Sequence, residues 1–169
     1  MDYEYPELPE EIKELFESRK LADEIRLDKE GKWFHNGEPF INKRIIEFFN
    51  KSVSMTADGT YVLHYGKYTY PIMVDDTAIF ITGVRFTGFG VFEKIFINLS
   101  TLEEEELDID TLYYKENGAL YCRVREGRFP AKFQRSPSFH ILERLDERDG
   151  RYYITLCGKT IFLNTEGMQ

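Results

Sequence analysis

Asp58-Gly59-Thr60-Tyr61-Val62-Leu63 recurs later in the chain as Asp149-Gly150-Arg151-Tyr152-Tyr153-Ile154. Each copy is followed by a Gly-Lys pair, Gly66-Lys67 in the first case and Gly158-Lys159 in the second, and then by a short apolar strand. A recurrence at this spacing indicates two related structural units. The surface between two such units is a natural place for a ligand.

The elements around the two Asp-Gly strands recur in the same order. A hairpin, a helix, the Asp-Gly strand and the Gly-Lys strand follow one another in both halves. Three apolar positions in each predicted helix have the same spacing: Ile45, Ile46 and Phe49 in the first, and Ile141, Leu142 and Leu145 in the second. The sequence therefore predicts an α+β fold made by internal duplication of a β-hairpin–helix–antiparallel-strand unit, with two small packed half-domains.

Charge and helix signals set the predicted boundaries. Pro9 followed by Glu10 and Glu11 is typical of a helix start, and this helix belongs to an acidic N-terminal arm over residues 1–22. The polar, acidic stretch from Thr101 to Glu106 precedes a restart of the pattern and is the predicted junction. We expect a first repeat over residues 23–103 and a second over residues 104–169.

Composition narrows the classes of protein. The 169 residues carry a net charge of −8, so binding to nucleic acid or anionic lipid would require a local basic patch, and no nucleic-acid partner is expected. The N-terminus lacks the features of a signal peptide, and no apolar run reaches the roughly 20 residues of a membrane span. Cys122 and Cys157 lie in alternating, strand-like segments and are expected to be buried free thiols, which favours a reducing, cytoplasmic location.

The sequence shows no pattern of a catalytic or metal site. His35, His64 and His140 are dispersed, and no Ser/His/Asp or Cys/His arrangement is present. Gly88-Phe89-Gly90 lacks the third glycine of a dinucleotide-binding loop and is interpreted as a hairpin bend. We therefore expect no enzyme activity, no cofactor and no metal.

One predicted hairpin is strongly cationic. If Glu126-Gly127 forms a two-residue turn, Arg125 faces Arg128, while Arg123 and Lys132 share the same face of the ladder and Arg135 follows directly. Guanidinium groups pair well with phosphate or carboxylate, so one interpretation is a site for an anion. The other is that these cations meet the acidic arm or the Glu103–Glu106 run within the same molecule. The candidate ligand-binding cations are Arg123, Arg125, Arg128, Lys132 and Arg135.

Trp33 is the one aromatic residue added to this candidate site. It precedes the Asn36-Gly37 hairpin signal, and packing in the core or between the halves is the simpler interpretation. The alternative is a stacking contact with an apolar or aromatic part of a ligand.

The chain resembles the bacterial domain-of-unknown-function family 1285. The resemblance rests on Gly31 to Gly37, on the short Arg44 to Phe49 helix, on Asp58 to Tyr61, on Val74-Asp75-Asp76 and on the arginine-bearing segment from Val124 to Arg135. It implies an α+β fold with internal duplication, a C-terminal half similar to pleckstrin-homology domains, and a role in signalling with a nucleotide-like ligand between the halves.

Two functions are consistent with these features. The first is a non-enzymatic ligand-binding or signalling module that holds a small anionic ligand between its halves. The alternative is a protein–protein interaction adaptor with no small-molecule ligand, which would use exposed strand edges or the acidic arm.

Overall fold

The computed structural model describes residues 8–18 and 23–165, and the chain divides into two compact units, Met1–Ala78 and Ile79–Gln169. Of the acidic arm predicted over residues 1–22, residues 1–7 and 19–22 lie outside the described residues. The α+β fold class is confirmed. The division between the units differs from the predicted junction after residue 103, because the strands that follow Ala78 pair within the second unit.

Within its described residues, the first unit contains two helices and seven strands. In chain order these are α1 (Glu10–Glu17), β1 (Ile25–Leu27), β2 (Trp33–His35), β3 (Glu38–Pro39), α2 (Lys43–Ser52), β4 (Val53–Met55), β5 (Tyr61–Tyr65), β6 (Tyr68–Pro71) and β7 (Met73–Val74). They form one sheet in the order β3-β2-β1-β7 and a second in the order β4-β5-β6. All neighbours are antiparallel except β1 and β7.

Local signals explain both helices of the first unit. In α1 the apolar positions Ile12, Leu15 and Phe16 lie on one face and are buried, as their spacing predicts. The Asn42 side chain caps α2, since its Oδ1 accepts hydrogen bonds from the backbone N–H groups of Arg44 and Ile45. Helix α1 begins at Glu10, directly after Pro9, as the sequence predicts.

The second unit contains one α-helix, two short 3₁₀ helices (Gly90–Phe92 and Ile109–Thr111) and ten strands among its described residues. The strands and the α-helix are β8 (Ile79–Thr87), β9 (Lys94–Leu99), β10 (Glu104–Glu106), β11 (Tyr113–Tyr114), β12 (Leu120–Val124), β13 (Phe129–Phe133), α3 (Arg135–Leu142), β14 (Leu145–Arg148), β15 (Arg151–Leu156), β16 (Lys159–Phe162) and β17 (Asn164–Thr165). Seven strands form a sheet in the order β10-β9-β8-β13-β12-β11-β17, and β14-β15-β16 form another. No helix in the described parts of the chain has the length and hydropathy of a membrane span.

Helix α3 differs from its prediction at its C-terminal end. It begins at Arg135, and Gln134 occupies the cap position without a side-chain hydrogen bond. The helix ends at Leu142, and Leu145 lies in strand β14. The equal spacing of apolar residues in the two predicted helices therefore does not correspond to equivalent helical positions.

The two units nevertheless share one order of elements. The order is three strands, a helix, three antiparallel strands and a short final strand. It occurs once as β1–β3, α2 and β4–β7, and again as β11–β13, α3 and β14–β17. In each of these two series the final strand pairs in parallel with the strand that opens the series, giving the orders β3-β2-β1-β7 and β13-β12-β11-β17. Internal duplication remains a prediction, and this shared topology supports it.

The Asp-Gly turns that open the two β-hairpins are of different kinds. Asp58-Gly59 lies in a wider turn in which the Thr56 N–H donates to the Thr60 carbonyl at 2.9 Å. Asp149-Gly150 is a two-residue hairpin turn between Arg148 and Arg151, and both of its residues have positive φ angles, 53° and 77°. The repeated hexapeptide thus begins with two different turns and continues as equivalent strands.

The Gly-Lys pairs are also not equivalent. Gly66-Lys67 supplies both turn residues between the paired residues Tyr65 and Tyr68. The corresponding turn in the second unit is Cys157-Gly158, and Lys159 is already the first residue of β16.

Candidate functional site

The cationic hairpin has the predicted register. Strands β12 and β13 pair with Arg123 opposite Pro130 and Tyr121 opposite Lys132. Glu126-Gly127 forms the centre of the turn, since the Arg128 N–H donates to the Arg125 carbonyl at 3.2 Å. The opposite face of the hairpin is apolar and buried, and burial raises the pKa of the Cys122 thiol on that face.

Arg125 departs from the predicted face and contacts the acidic run. Its φ angle of 51° lies in the left-handed region, which takes its backbone out of the ladder. Its N–H donates to Glu105 Oε1 at 3.1 Å, and its guanidinium donates to Glu103 Oε1 at 3.0 Å. The positive charge of Arg125 is therefore neutralised within the molecule by the acidic run.

The other cations are spread around the turn. The Arg123 Nε–H donates to the Gly127 carbonyl at 2.8 Å, and the Arg128 guanidinium lies 5.8 Å from the centre of the Phe129 ring. Lys132 lies farther along β13, and Arg135 is the exposed first residue of α3. The structure thus brings Arg123, Arg125 and Arg128 to one turn and leaves Lys132 and Arg135 on neighbouring elements.

Trp33 lies in the core of the first unit. Its side chain is only 2% exposed, and its ring packs against Phe49 with 5.2 Å between centroids. The indole N–H donates to Asn50 Oδ1 at 2.8 Å. Trp33 is therefore a core residue, and the predicted stacking of a ligand on it is wrong. Neither the face of its ring nor its N–H group is available to a ligand.

The turn between β8 and β9 exposes three large apolar side chains. Phe89 is 84% exposed, Val91 75% and Phe92 82%, and we call these three residues the apolar tip. Gly88 and Gly90 flank Phe89 with φ angles of 71° and 59°, which confirms the hairpin bend predicted at Gly88-Phe89-Gly90. The sequence analysis assigned no function to this segment. The signal that could have indicated an exposed apolar site is the presence of three large apolar residues within a glycine-containing turn.

An ion pair between a buried glutamate and an exposed arginine lies at the base of the apolar tip. Glu93 is buried, and its carboxylate accepts hydrogen bonds from the Arg144 guanidinium at 2.6 and 2.8 Å and from the Cys157 N–H at 2.9 Å. The Arg144 guanidinium also lies 4.7 Å from the centre of the Phe86 ring. The bonds from Arg144, more than that from Cys157, hold the pKa of Glu93 below its ordinary value against the effect of burial.

Gly158 allows a second close contact at the same place. A β-carbon on Gly158 would lie 2.7 Å from Val91 Cγ1 and 2.8 Å from Val91 Cα, so only glycine fits against this backbone. The turn Cys157-Gly158 therefore contacts the tip segment both through Glu93 and through Val91. The base of the apolar tip is therefore attached to this turn at two residues, although its side chains are exposed.

Comparison with known proteins identifies the fold. A DUF1285 family protein from Silicibacter pomeroyi DSS-3 superimposes with a TM-score of 0.66 at 17% sequence identity, covering 83% of this chain and 79% of that one. A DUF1285 family protein from Shewanella baltica OS155 superimposes with a TM-score of 0.55 at 14% identity, covering 73% of this chain and 94% of that one. Neither a protein-family model nor a curated protein matches the sequence. The resemblance to family 1285 is thereby confirmed at the level of the fold.

Proposed function

We propose that this protein is a non-enzymatic protein-interaction module and that the apolar tip contacts its partner. The observation that carries the proposal is the exposure of Phe89, Val91 and Phe92 on one turn. A cluster of exposed large apolar residues is costly in water and marks interaction sites on soluble proteins. Aromatic side chains also supply much of the binding energy at protein interfaces.

The shape and charge of the protein narrow the class of partner. The apolar tip is the end of a hairpin and is therefore convex, so we expect the partner to offer an apolar pocket that encloses the two phenylalanine rings. An anionic lipid surface is disfavoured because the chain carries a net charge of −8. The contacts at the base of the tip reduce the conformational entropy that binding would cost.

Replacing Phe89 and Phe92 together by serine is expected to remove partner binding without unfolding the protein. Because both rings are exposed, the free energy of unfolding should change by no more than about 0.5 kcal/mol per substitution. Proteins that co-purify with the tagged full chain from its native cells would be quantified for the wild type and the double variant. The matched control is Phe139→Ser, on an exposed ring of α3. The proposal fails if the double variant retains every partner that the control retains.

An anionic ligand at the cationic hairpin is the second candidate. Three arginines, Arg123, Arg125 and Arg128, lie at or next to the turn, and Arg123 and Arg128 are exposed there. The carboxylate of Glu103 already occupies Arg125, so an incoming anion would bind Arg123 and Arg128, with Lys132 and Arg135 as more distant cations. This arrangement favours phosphate-bearing molecules, since guanidinium groups bind phosphate oxygens in pairs.

The anion candidate predicts that phosphorylated molecules stabilise the protein. Nucleotides or phosphorylated metabolites at hundreds of micromolar should raise the thermal midpoint, because a ligand that binds only the folded state stabilises it. Arg128→Ala with Arg135→Ala should abolish the rise, whereas Arg148→Ala on β14 should not. An unchanged midpoint with every such compound would exclude this candidate and leave the interaction module.

A further inference from the structure

The first unit contains an open groove of about 810 Å³. One wall is α1, and the other is formed by the β2–β3 hairpin and the first turn of α2. Its apolar lining comes from Ile12 and Leu15 on α1 and from Pro39, Phe40, Ile41 and Ile45 on the opposite wall. This volume is within the range of roughly 300–1,000 Å³ that is usual for small-molecule sites.

The charged groups that line the groove are of one sign. Glu11 and Glu14 contribute carboxylates from α1, and Asp23 and Glu38 contribute them from the opposite side. Among the described residues, the lining contains no lysine or arginine. Clustered carboxylates beside low-dielectric walls create a negative potential, which raises the local concentration of cations.

Asp23 is held in a fixed position at one end of the groove. Its carboxylate oxygens lie 3.2 Å from Asn36 Nδ2 and 3.2 Å from His35 Nε2. These bonds, that from Asn36 first, lower the pKa of Asp23 and keep it ionised at neutral pH. The His35 ring stacks on the Phe40 ring with 5.7 Å between centroids and 11° between planes. An ionised carboxylate and a flat aromatic surface therefore lie side by side.

A metal ion does not fit this arrangement. Within residues 8–18 and 23–165, no three His, Cys, Asp or Glu side chains come close enough together to hold one. The carboxylates of the lining are accompanied by apolar side chains from both walls of the groove. An elongated organic cation matches both features, because its charge can meet a carboxylate while its body covers the apolar lining.

We infer that the groove of the first unit binds a small organic cation with an aromatic or aliphatic body. The ammonium or amidinium group meets one carboxylate of the lining, supplied by Glu14, Glu38 or Asp23, and the apolar body covers Phe40 and the α1 side chains. The site is independent of the apolar tip, which belongs to the second unit. Its failure would leave the proposed interaction function untouched.

Tryptamine is a suitable probe because it combines a primary amine with an indole ring. Calorimetric titration of the full-length protein should give a dissociation constant at least tenfold lower for tryptamine than for tryptophol, its neutral analogue, and no binding of indole-3-propionate, its anionic analogue. Added salt should weaken the binding of tryptamine, since the attraction to exposed carboxylates is screened. Equal binding of the neutral analogue, or no binding of tryptamine up to millimolar concentration, would overturn the inference.

Substitutions locate the site. Glu14→Gln with Glu38→Gln should weaken tryptamine binding about tenfold or more while the thermal midpoint stays unchanged, because both side chains are exposed. The matched control is Glu47→Gln on α2, whose carboxylate pairs with Lys51 outside the groove. The inference is wrong if Glu47→Gln weakens binding as much as the double variant does. It is also wrong if small amines fail to bind and only basic peptides do.

Discussion

Replacing Arg144 by methionine is expected to lower the free energy of unfolding by about 3 kcal/mol, at the lower end of the cost of breaking a buried ion pair. The Glu93 side chain is 7% exposed and would keep only the Cys157 N–H as a partner. The Arg144 side chain is 38% exposed, so water reaches part of the site and moderates the loss. Urea denaturation of the two proteins at neutral pH measures the difference.

A second substitution distinguishes two causes of this loss of stability, the unpaired charge of Glu93 and the lost packing of Arg144. Glu93→Gln added to Arg144→Met removes the unpaired carboxylate, so the double variant should recover a substantial part of the lost stability. If the double variant is no more stable than Arg144→Met, the loss comes from the missing contact between Arg144 and the Phe86 ring.

The same pair gives a pH dependence of defined sign. The pKa of Glu93 is lower in the folded protein than its ordinary value of 4.5. The contribution of the ion pair to stability is therefore fully present above this ordinary value and is lost as the pH falls through the lower folded value. The difference in stability between the wild type and Arg144→Met should accordingly be constant near neutrality and shrink below pH 4.5. A difference that is independent of pH down to acid unfolding would contradict the assignment.

Gly158→Ala is expected to destabilise the protein by about 2–3 kcal/mol. Alanine at a φ of 73° is strained by about 1–2 kcal/mol. The added methyl group would also lie 2.9 Å or less from the backbone N and Cα of Val91, which cannot rotate away. The backbone amide signal of Val91 should shift in nuclear magnetic resonance spectra, because the tip segment must move.

Gly150→Ala is the matched control for this substitution. Gly150 has a similar φ of 77°, but a β-carbon there would meet nothing within 4 Å. Gly150→Ala should therefore lower the free energy of unfolding only by the strain of alanine at a positive φ angle, and the amide signal of Val91 should not shift. Equal losses for the two variants would show that the contact between Gly158 and Val91 is not a close one in solution.

Much of the fold follows from local signals in the sequence. The Glu126-Gly127 signal correctly predicts the register of β12 and β13, although the turn itself spans residues 125–128, and Asn42 marks the start of α2. These features depend on residues that are close together in the chain, and they can therefore be predicted without knowledge of the tertiary structure. The recurring order of elements is also readable, and it agrees with the shared topology of the two units.

The features that the sequence did not reveal depend on contacts between distant segments. Strand β8 belongs to the second unit because it pairs in parallel with β13, and such pairing leaves no turn signal in the chain. The Glu93–Arg144 pair and the contact between Arg125 and Glu103 likewise join separate elements. For this reason the sequence left open whether the cationic hairpin meets the acidic run or a ligand, and the apolar tip and the groove were not predicted as sites.

Strand β10 consists of Glu104, Glu105 and Glu106 and forms one edge of the seven-stranded sheet. An open edge presents unpaired backbone groups that can recruit a strand from another molecule, which is the first step of aggregation. A second copy that approached through the same edge would bring two rows of carboxylates together and be repelled. We therefore expect the acidic run to disfavour sheet extension through this edge, and neutralising its carboxylates, for example at low pH, should weaken that effect.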